Sequence, residues 1–330
     1  MNPASRSVRL EDRATIRRAV RAWFEGQGFL EVETPARVPS PGQEVHLEAI
    51  PAGDGRYLIT SPEYHMKRLV AAGLPRIVQI GRCWRGGERG SHHEPEFTMI
   101  EWYRAGVALE EIARDCEAIL EVAARAVGTW PMVDVPASRG REKKLTVEAP
   151  FQRLTVRETL SRFAGIALRG DESVDELRGL ATRAGCKLGT AATWDDIFFQ
   201  IFLDRVEPHL GRDRPTLVFD WPLPLAALAR RKPDDPLTVE RFELYAGGLE
   251  LANAFGELCD PVEQRARFVE EIELRRQRGR VVYPIDEKLL AALADMPATC
   301  GVAMGFDRLV MLVTGADSIR DVMAFADDEA

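Results

Sequence analysis

Apolar residues in the first third of the chain recur with helical spacing. Over residues 11–27 they form one stripe, which predicts an amphipathic helix: Ile16, Ala19, Val20, Trp23 and Phe24. The stretch FLEVETP alternates apolar and polar residues and ends at a proline, as a strand does. SPEYHMKRLVAAG predicts a short helix, and residues 109–127 predict a longer one.

Short strand patterns dominate the rest of the chain. RIVQIGRCW and EFTMIEWYR predict two strands around a charged loop, and TLVFDW predicts another. RFELYAGGLELANAFGEL predicts two strands that meet near Ala246-Gly247-Gly248, and ATCGVAMGFDRLVMLVTG predicts a strand that enters a helix. Because the strands arrive in runs joined by hairpins, we expect an α+β fold with a mainly antiparallel sheet flanked by helices.

One segment interrupts this pattern. PMVDVPASRGREKK has the composition of a linker, and helical patterns follow it, including one at residues 194–206. We therefore expect a single catalytic domain over residues 1–330 with a helical insertion at about 131–213.

Composition narrows the class of protein. The chain has 330 residues, a net charge of −8 and a pI near 5.4, which argues against a broad nucleic-acid-binding face. Its five cysteines are scattered and form no CxxC pair, so they indicate reduced thiols rather than a zinc site or disulfides. No signal peptide or membrane-length apolar run occurs. These features predict a cytoplasmic protein without a membrane partner.

The charged loop and the strand after it carry the first candidate site. Arg82, Arg85 and Arg89 offer guanidinium groups that suit phosphate oxygens. In EFTMIEWY, period two places Phe97 on the same strand face as a thioether, a carboxylate and a phenol, which suits a purine and an amine. The alternative is a surface hairpin with solvated charges.

A pair of carboxylates forms the second candidate site. If the hairpin turn is Ala246-Gly247, Glu243 lies opposite Glu250; if it is Gly247-Gly248, the two are diagonal neighbours on one face. Such a pair would repel unless a divalent cation such as Mg²⁺ lay between the groups. The alternative is a solvated edge pair.

Side chains of the same strand differ in the face of the sheet on which they are expected to lie. Asn253, Phe255 and Glu257 alternate onto one face, and in a regular strand Glu250 would point the other way. Either a bulge lies near Leu251-Ala252 or these groups line different surfaces.

The third candidate site is GVAMGFDRLVML. Gly301 and Gly305 allow close approach of the backbone, and Arg308 would lie in the first turn of the next helix. Both features favour a polyphosphate, although the alternative of a helix-packing turn remains.

Together these segments resemble the signature motifs of class II aminoacyl-tRNA synthetases, most closely the subgroup of the lysine enzyme. GFLEVETP is similar to motif 1, the stretch from GRCWR to HHEPEFTMIEWY to motif 2, and GVAMGFDRLVML to motif 3. SPE at 61–63 and ELANAFGEL at 250–258 resemble the amino-acid pocket of lysyl enzymes. The resemblance covers almost the whole chain and implies the class II catalytic fold, an AMP-forming ligase activity, and ATP and Mg²⁺ as ligands.

The resemblance also implies residue roles. The catalytic residues would be Arg85, on the α-phosphate of ATP, and Arg308, on the γ-phosphate. The ATP site would comprise Arg85, Gly86, Gly87, Glu88, His93, Glu94, Phe97, Glu250, Leu251, Gly305 and Arg308. Glu63 would meet the amine nearest the substrate carboxylate. The full amino-acid pocket would comprise Ser61, Pro62, Glu63, Glu101, Tyr103, Asn253, Phe255, Glu257 and Ala303. Magnesium would be held by Glu243 and Glu250.

One branch of the family fits best: stand-alone ligases that attach (R)-β-lysine to a lysine side chain of elongation factor P. The chain starts almost at motif 1, which leaves no room for an anticodon-binding OB domain, and Ala303 stands where tRNA synthetases typically carry glycine. This branch implies (R)-β-lysine or lysine as substrate and elongation factor P, rather than tRNA, as acceptor. The alternatives are a truncated lysyl-tRNA synthetase-like enzyme that charges tRNA and a non-catalytic regulatory paralogue.

The chain departs from the family pattern in motif 2. Family members usually read Arg-Asn-Glu where this chain reads Arg85-Gly86-Gly87-Glu88, and they carry asparagine where it carries Glu94. We expect both changes to affect the affinity for ATP rather than the type of reaction. The family further implies a homodimer through the motif 1 helix and strand, although the stripe with Trp23 and Phe24 could equally be buried within one subunit.

Overall fold

A computed structural model describes residues 3–139 and 143–329. The α-helices are α1 (Pro3–Gly26), α2 (Glu63–Ala71), α3 (Leu109–Ala126), α4 (Val156–Thr159), α5 (Val174–Arg183), α6 (Trp194–Ile201), α7 (Pro261–Gln277), α8 (Glu287–Leu293) and α9 (Phe306–Val313). The strands are β1 (Leu30–Glu31), β2 (Arg37–Val38), β3 (Tyr57–Leu58), β4 (Arg76–Trp84), β5 (Glu96–Ala105), β6 (Met132–Val135), β7 (Lys143–Thr146), β8 (Gln152–Thr155), β9 (Thr216–Pro222), β10 (Thr238–Ala246), β11 (Leu249–Gly256) and β12 (Thr299–Gly305).

The centre of the fold is one mixed sheet. Within the described residues its eight strands follow the order β1-β4-β5-β12-β11-β10-β9-β8. The five inner pairings are antiparallel, and the pairings β1–β4 and β8–β9 at the two edges are parallel. The predicted α+β fold with a mainly antiparallel sheet is therefore confirmed.

The apolar stripe of α1 packs inside the subunit. Ile16, Val20 and Phe24 are buried in the main core, and the Phe24 ring meets the ring of Trp102 on β5 edge-on at 5.3 Å. Of the two interpretations of the stripe, burial within one subunit describes these three residues. Leu30, on the edge strand β1, remains 51% exposed.

Motif 1 contains less strand than its alternation predicts. Of FLEVETP, two residues form β1, and the backbone N–H of Thr34 donates to the side-chain Oε1 of Gln79 at 2.8 Å instead of joining the ladder. Pro35 follows directly, and a proline restricts the backbone of the residue before it and lacks a donor of its own. The strand therefore stops early.

Residues 131–213 contain more than helices. Helices α4–α6 build a second apolar core with the sheet residues Trp221 and Tyr245, but β6 and β7 form a separate hairpin and β8 extends the main sheet. These strands were not predicted. The division into one domain with an insertion at 131–213 stays a prediction.

The cysteines belong to the packing rather than to a bonded framework. All five are free, and Cys83, Cys116 and Cys300 are buried among apolar side chains. Burial raises the pKa of each of these three thiols, so they behave as small apolar residues. Among the described residues, no helix combines the length and the apolarity that crossing a membrane requires.

Candidate active site

The β10–β11 hairpin turns at Gly247 and Gly248. Both have positive φ, 58° and 79°, which a tight turn between twisted antiparallel strands requires. Ala246 pairs with Leu249, and Tyr245 pairs with Glu250. Of the two turns considered, the Gly247-Gly248 turn is therefore correct.

A bulge in β11 then decides which way its side chains face. Leu244 pairs with Ala252 while the next residue, Tyr245, pairs with Glu250, so Leu251 is an extra residue on its strand. One extra residue inverts the alternation of a strand. Glu250 consequently shares a sheet face with Asn253, so of the two alternatives for this strand the bulge near Leu251-Ala252 is the correct one.

This face of the sheet forms the floor of a cavity of about 430 Å³, a size typical of small-molecule sites. Arg85, Arg308 and Glu250 all open into it, although they come from three distant segments. The walls comprise Glu44, Leu47, Ser61, Glu63, Arg85, Glu88, His92, His93, Glu94, Phe97, Met99, Ala227, Leu228, Arg241, Glu250, Leu251, Ala252, Asn253, Phe255, Ala303, Gly305, Asp307, Arg308 and Ile319.

Most of the predicted site residues line this cavity, and some lie behind its wall. Those on the wall are Ser61, Glu63, Arg85, Glu88, His93, Glu94, Phe97, Glu250, Leu251, Asn253, Phe255, Ala303, Gly305 and Arg308. Those that are not wall residues are Pro62, Gly86, Gly87, Glu101, Tyr103, Glu243 and Glu257. Glu101 still reaches a wall residue through a hydrogen bond from Ser61, and Glu243 does so through Arg241.

One end of the cavity is cationic. The Arg85 guanidinium lies over the Phe97 ring, 5.2 Å from its centroid. Arg308 donates to the carbonyl oxygen of Glu250 at 2.8 Å and lies 2.6 Å from the Nε2 of His93. Burial and the neighbouring Arg308 charge lower the pKa of His93 to about 4. The imidazole is therefore neutral near pH 7 and can accept a hydrogen bond from Arg308.

Glu94, one of the two departures in motif 2, has its charge compensated. Its Oε2 accepts a hydrogen bond from the backbone N–H of Asp327 at 3.1 Å, and its Oε1 lies 3.6 Å from the Nε of Arg320. Both partners come from the C-terminal segment. The extra carboxylate is thus paired within the protein, which sequence inspection did not predict.

The opposite end of the cavity is acidic. Glu101 is buried and accepts hydrogen bonds from the hydroxyl groups of Ser61, at 2.6 Å, and Tyr103, at 2.7 Å. Burial, with the charge of Glu63 as the next cause, raises the pKa of Glu101 to about 8. A carboxylate in this setting is stabilised when an ammonium group comes close to it.

A buried lysine at this end was missed by sequence analysis. Lys67, on α2, is 1% exposed, and its Nζ lies 2.6 Å from carboxylate oxygens of both Glu63 and Glu257. These charges raise the pKa of Lys67, whereas burial raises the pKa of Glu257 to about 7. The spacing of Glu63 and Lys67, four residues apart on one helix, is the signal that could have revealed the pair.

Comparison with known proteins shows the family of the chain. The family described as tRNA synthetases class II (D, K and N) matches residues 2–329. The chain belongs to this family. Its relatives include proteins named elongation factor P–(R)-β-lysine ligase from Klebsiella pneumoniae, 38% identical, and Vibrio cholerae, 36% identical. The matches cover 99% and 98% of this chain and 98% and 96% of those proteins.

The carboxylates that the family pattern suggests for Mg²⁺ differ in their surroundings. Glu243 is buried and accepts hydrogen bonds from Arg241, at 2.6 Å, and from the Tyr245 hydroxyl group. Burial raises the pKa of Glu243 to about 7. Glu250 lies on the cavity wall. In residues 3–139 and 143–329, no group of three or more His, Cys, Asp or Glu side chains could hold a metal. Of the two carboxylates, Glu250 is the one that reaches the cavity, whereas Glu243 is paired with Arg241 behind it.

The Lys67 pairs predict a large loss of stability on substitution. Lys67→Met leaves Glu63 and Glu257 without their buried cation, so we expect the free energy of unfolding to fall by about 3–5 kcal/mol in urea denaturation. Adding Glu257→Gln removes one of the stranded charges and should recover part of this loss. A single variant as stable as the wild type would contradict the assignment of Lys67 as the compensating charge.

Proposed function

We propose that this protein activates (R)-β-lysine, or lysine, with ATP and transfers the acyl group to a lysine side chain of elongation factor P. The relatives named for this activity match almost the whole chain. The observation that carries the proposal is one cavity whose wall brings Arg85 and Arg308 together with Glu63, which shares a buried lysine with Glu257. Such a cavity can hold a triphosphate and an amino acid with two ammonium groups side by side.

The first step is the activation of the amino acid. Its carboxylate oxygen attacks the α-phosphorus of ATP in line, an acyl–phosphate bond forms, and the bond to pyrophosphate breaks. Arg85 and Arg308 stabilise the negative charge that builds on the phosphoryl oxygens, and Phe97 stacks on the adenine. Arg85 must leave the Phe97 ring to do this. The mechanism requires no protein nucleophile, because positioning and electrostatics lower the barrier.

We assign the magnesium site to Glu250, with Glu243 behind it. Magnesium would neutralise the charge of the phosphate oxygens during activation. Glu250 can offer its carboxylate from the cavity wall, whereas Glu243 can join only after it leaves Arg241. As long as Glu243 keeps its contact with Arg241, that arginine neutralises its charge.

The second step makes the amide. The acceptor amine attacks the carbonyl carbon of the acyl adenylate, the amine loses a proton, and AMP leaves with the electron pair of the acyl–phosphate bond. Ala303 and Phe255 shape the cavity wall beside the amino acid. A methyl group at residue 303 removes volume that glycine would leave open, which favours a different amino-acid shape from that of a tRNA synthetase.

We also propose a homodimer in the cytoplasm. The edge strand β1 exposes Leu30, and α1 beside it exposes Val8 at 58%, so both offer apolar surface to a second copy. The free cysteines suit a reducing compartment. Light scattering at micromolar concentration that gives a monomer mass would count against the dimer, and cell fractionation would test the compartment.

The test of the proposed function compares acceptors. The wild-type protein is incubated with ATP, Mg²⁺ and radiolabelled (R)-β-lysine or lysine, with either elongation factor P or tRNA present. We expect label in elongation factor P and in a peptide that contains one modified lysine, as shown by mass spectrometry. Label in tRNA alone would favour the truncated synthetase, and no ATP–pyrophosphate exchange with either amino acid would favour the non-catalytic paralogue.

The triphosphate assignment predicts a contrast between two arginines. Arg308→Ala should lower the rate of ATP–pyrophosphate exchange by about 10²–10³-fold, because a preorganised donor to developing charge is lost. Arg89→Ala removes an arginine of the motif 2 loop whose side chain is 60% exposed and paired with Asp327. Its rate should stay within about two-fold of the wild type. Equal losses in the two variants would refute the assignment.

The metal assignment predicts a shift in the magnesium requirement. Glu250→Gln keeps the shape of the side chain but removes its charge, which a hard cation needs. We expect the Mg²⁺ concentration for half-maximal exchange to rise by about 10-fold, roughly the effect of one lost charged contact. A titration curve that superimposes on that of the wild type would exclude Glu250 as a ligand.

A further inference from the structure

Glu44 is a carboxylate on the cavity wall that none of the roles above uses. It lines the same wall as Ser61, Glu63 and Arg85. Its Oε2 is buried and has no hydrogen-bond partner within the described residues, and it packs so close to Gly42 that a Cβ there would lie 2.5 Å away. An unsatisfied carboxylate oxygen inside a protein is destabilising, so its retention calls for a ligand.

The segment that carries Glu44 is held in place from behind. Nη1 of Arg275, a buried residue of α7, donates to the carbonyl oxygens of Glu44 and Leu47, both at 2.8 Å. Glu271, also on α7, accepts a hydrogen bond from the backbone N–H of Val45 at 3.1 Å. The Glu44 side chain is thus presented to the cavity by an anchored backbone, as a binding group should be.

The other carboxylates at the acidic end already have partners. Glu63 and Glu257 share Lys67, and Glu101 accepts hydrogen bonds from two hydroxyl groups. Burial and the charge of Glu63 raise the pKa of Glu44, while a hydrogen bond with its own backbone and the Arg85 and Lys67 charges oppose this effect. Because Glu44 shares the cavity wall with Arg85 and Glu63, the amino acid would place the carbon atoms next to its carboxylate within reach of Glu44.

We propose that Glu44 is a specificity-determining residue that binds the ammonium group nearest the reacting carboxylate of a diamino acid. The assignment rests on the proposed function. It adds to that function the carboxylate that recognises the second amine of the substrate. Glu63, which the family pattern suggests for this amine, is paired with Lys67, whereas the Oε2 of Glu44 has no hydrogen-bond partner within the described residues and can accept a bond from the ammonium group. Charge-assisted hydrogen bonds of this kind are among the strongest in proteins.

The test is the Glu44→Gln variant in ATP–pyrophosphate exchange. We expect the KM for (R)-β-lysine to rise by about 10- to 100-fold, the effect of one lost hydrogen bond between charged groups. The KM for ATP in the same assay should not change, and neither should the inhibition constant of 6-aminohexanoate, which lacks the amine near the carboxylate. The thermal midpoint should stay equal or rise, because an unsatisfied buried charge has been removed.

Asp54→Asn provides a control carboxylate in the same connection between β2 and β3. Asp54 is 92% exposed, pairs with Arg37 at 2.9 Å and is not a wall residue, so this variant should keep the wild-type KM for (R)-β-lysine. An unchanged KM in Glu44→Gln, or equal losses for ATP, (R)-β-lysine and 6-aminohexanoate, would overturn the inference while leaving the proposed function intact. Absence of exchange in the wild type would overturn both.

Discussion

The structure depends on how it neutralises carboxylates that it buries beneath its cavity. A carboxylate removed from water requires a cation or several donors, and losing these costs more than most single contacts contribute. Lys67 meets this requirement for Glu63 and Glu257 at once, from the first two turns of α2. The acidic end can therefore exist before a substrate enters.

Two other carboxylates, Glu101 and Glu44, have no cation paired with them in the described residues, and this bears on function. Burial raises the pKa of Glu101 to about 8, and the Oε2 of Glu44 has no partner in the described part of the chain. An amino acid with two ammonium groups would bring the missing positive charge. Selectivity for such a substrate then follows from an electrostatic need of the protein itself, at some cost to the stability of the empty protein.

At the cationic end the partly compensated charges are those of two arginines. Arg308 is held by the backbone of Glu250 and by a neutral His93, and Arg85 rests on Phe97. Each arginine also lies near one carboxylate, Arg308 at 3.8 Å from Glu250 and Arg85 at 3.9 Å from Glu88, and a polyphosphate would compete with these long ion pairs. Glu94, which breaks the family pattern, lies on the cavity wall but is paired with Arg320 and with the backbone N–H of Asp327.

The sequence by itself determined the family and most of the elements, although not the strands β6, β7 and β8. The strands β4 and β5, the helix α3 and the order of the three motifs follow from local periodicity and residue type, which depend on near neighbours. It also left two possible orientations for the side chain of Glu250: on the same sheet face as Asn253 or on the other face. Only the tertiary structure decided between them, because a bulge at Leu251 changes the facing of a strand without changing its composition. Lys67, Arg241 and Glu44 escaped prediction for a related reason: whether a charged residue is solvated or buried with partners depends on segments distant in sequence, which meet only when the chain folds.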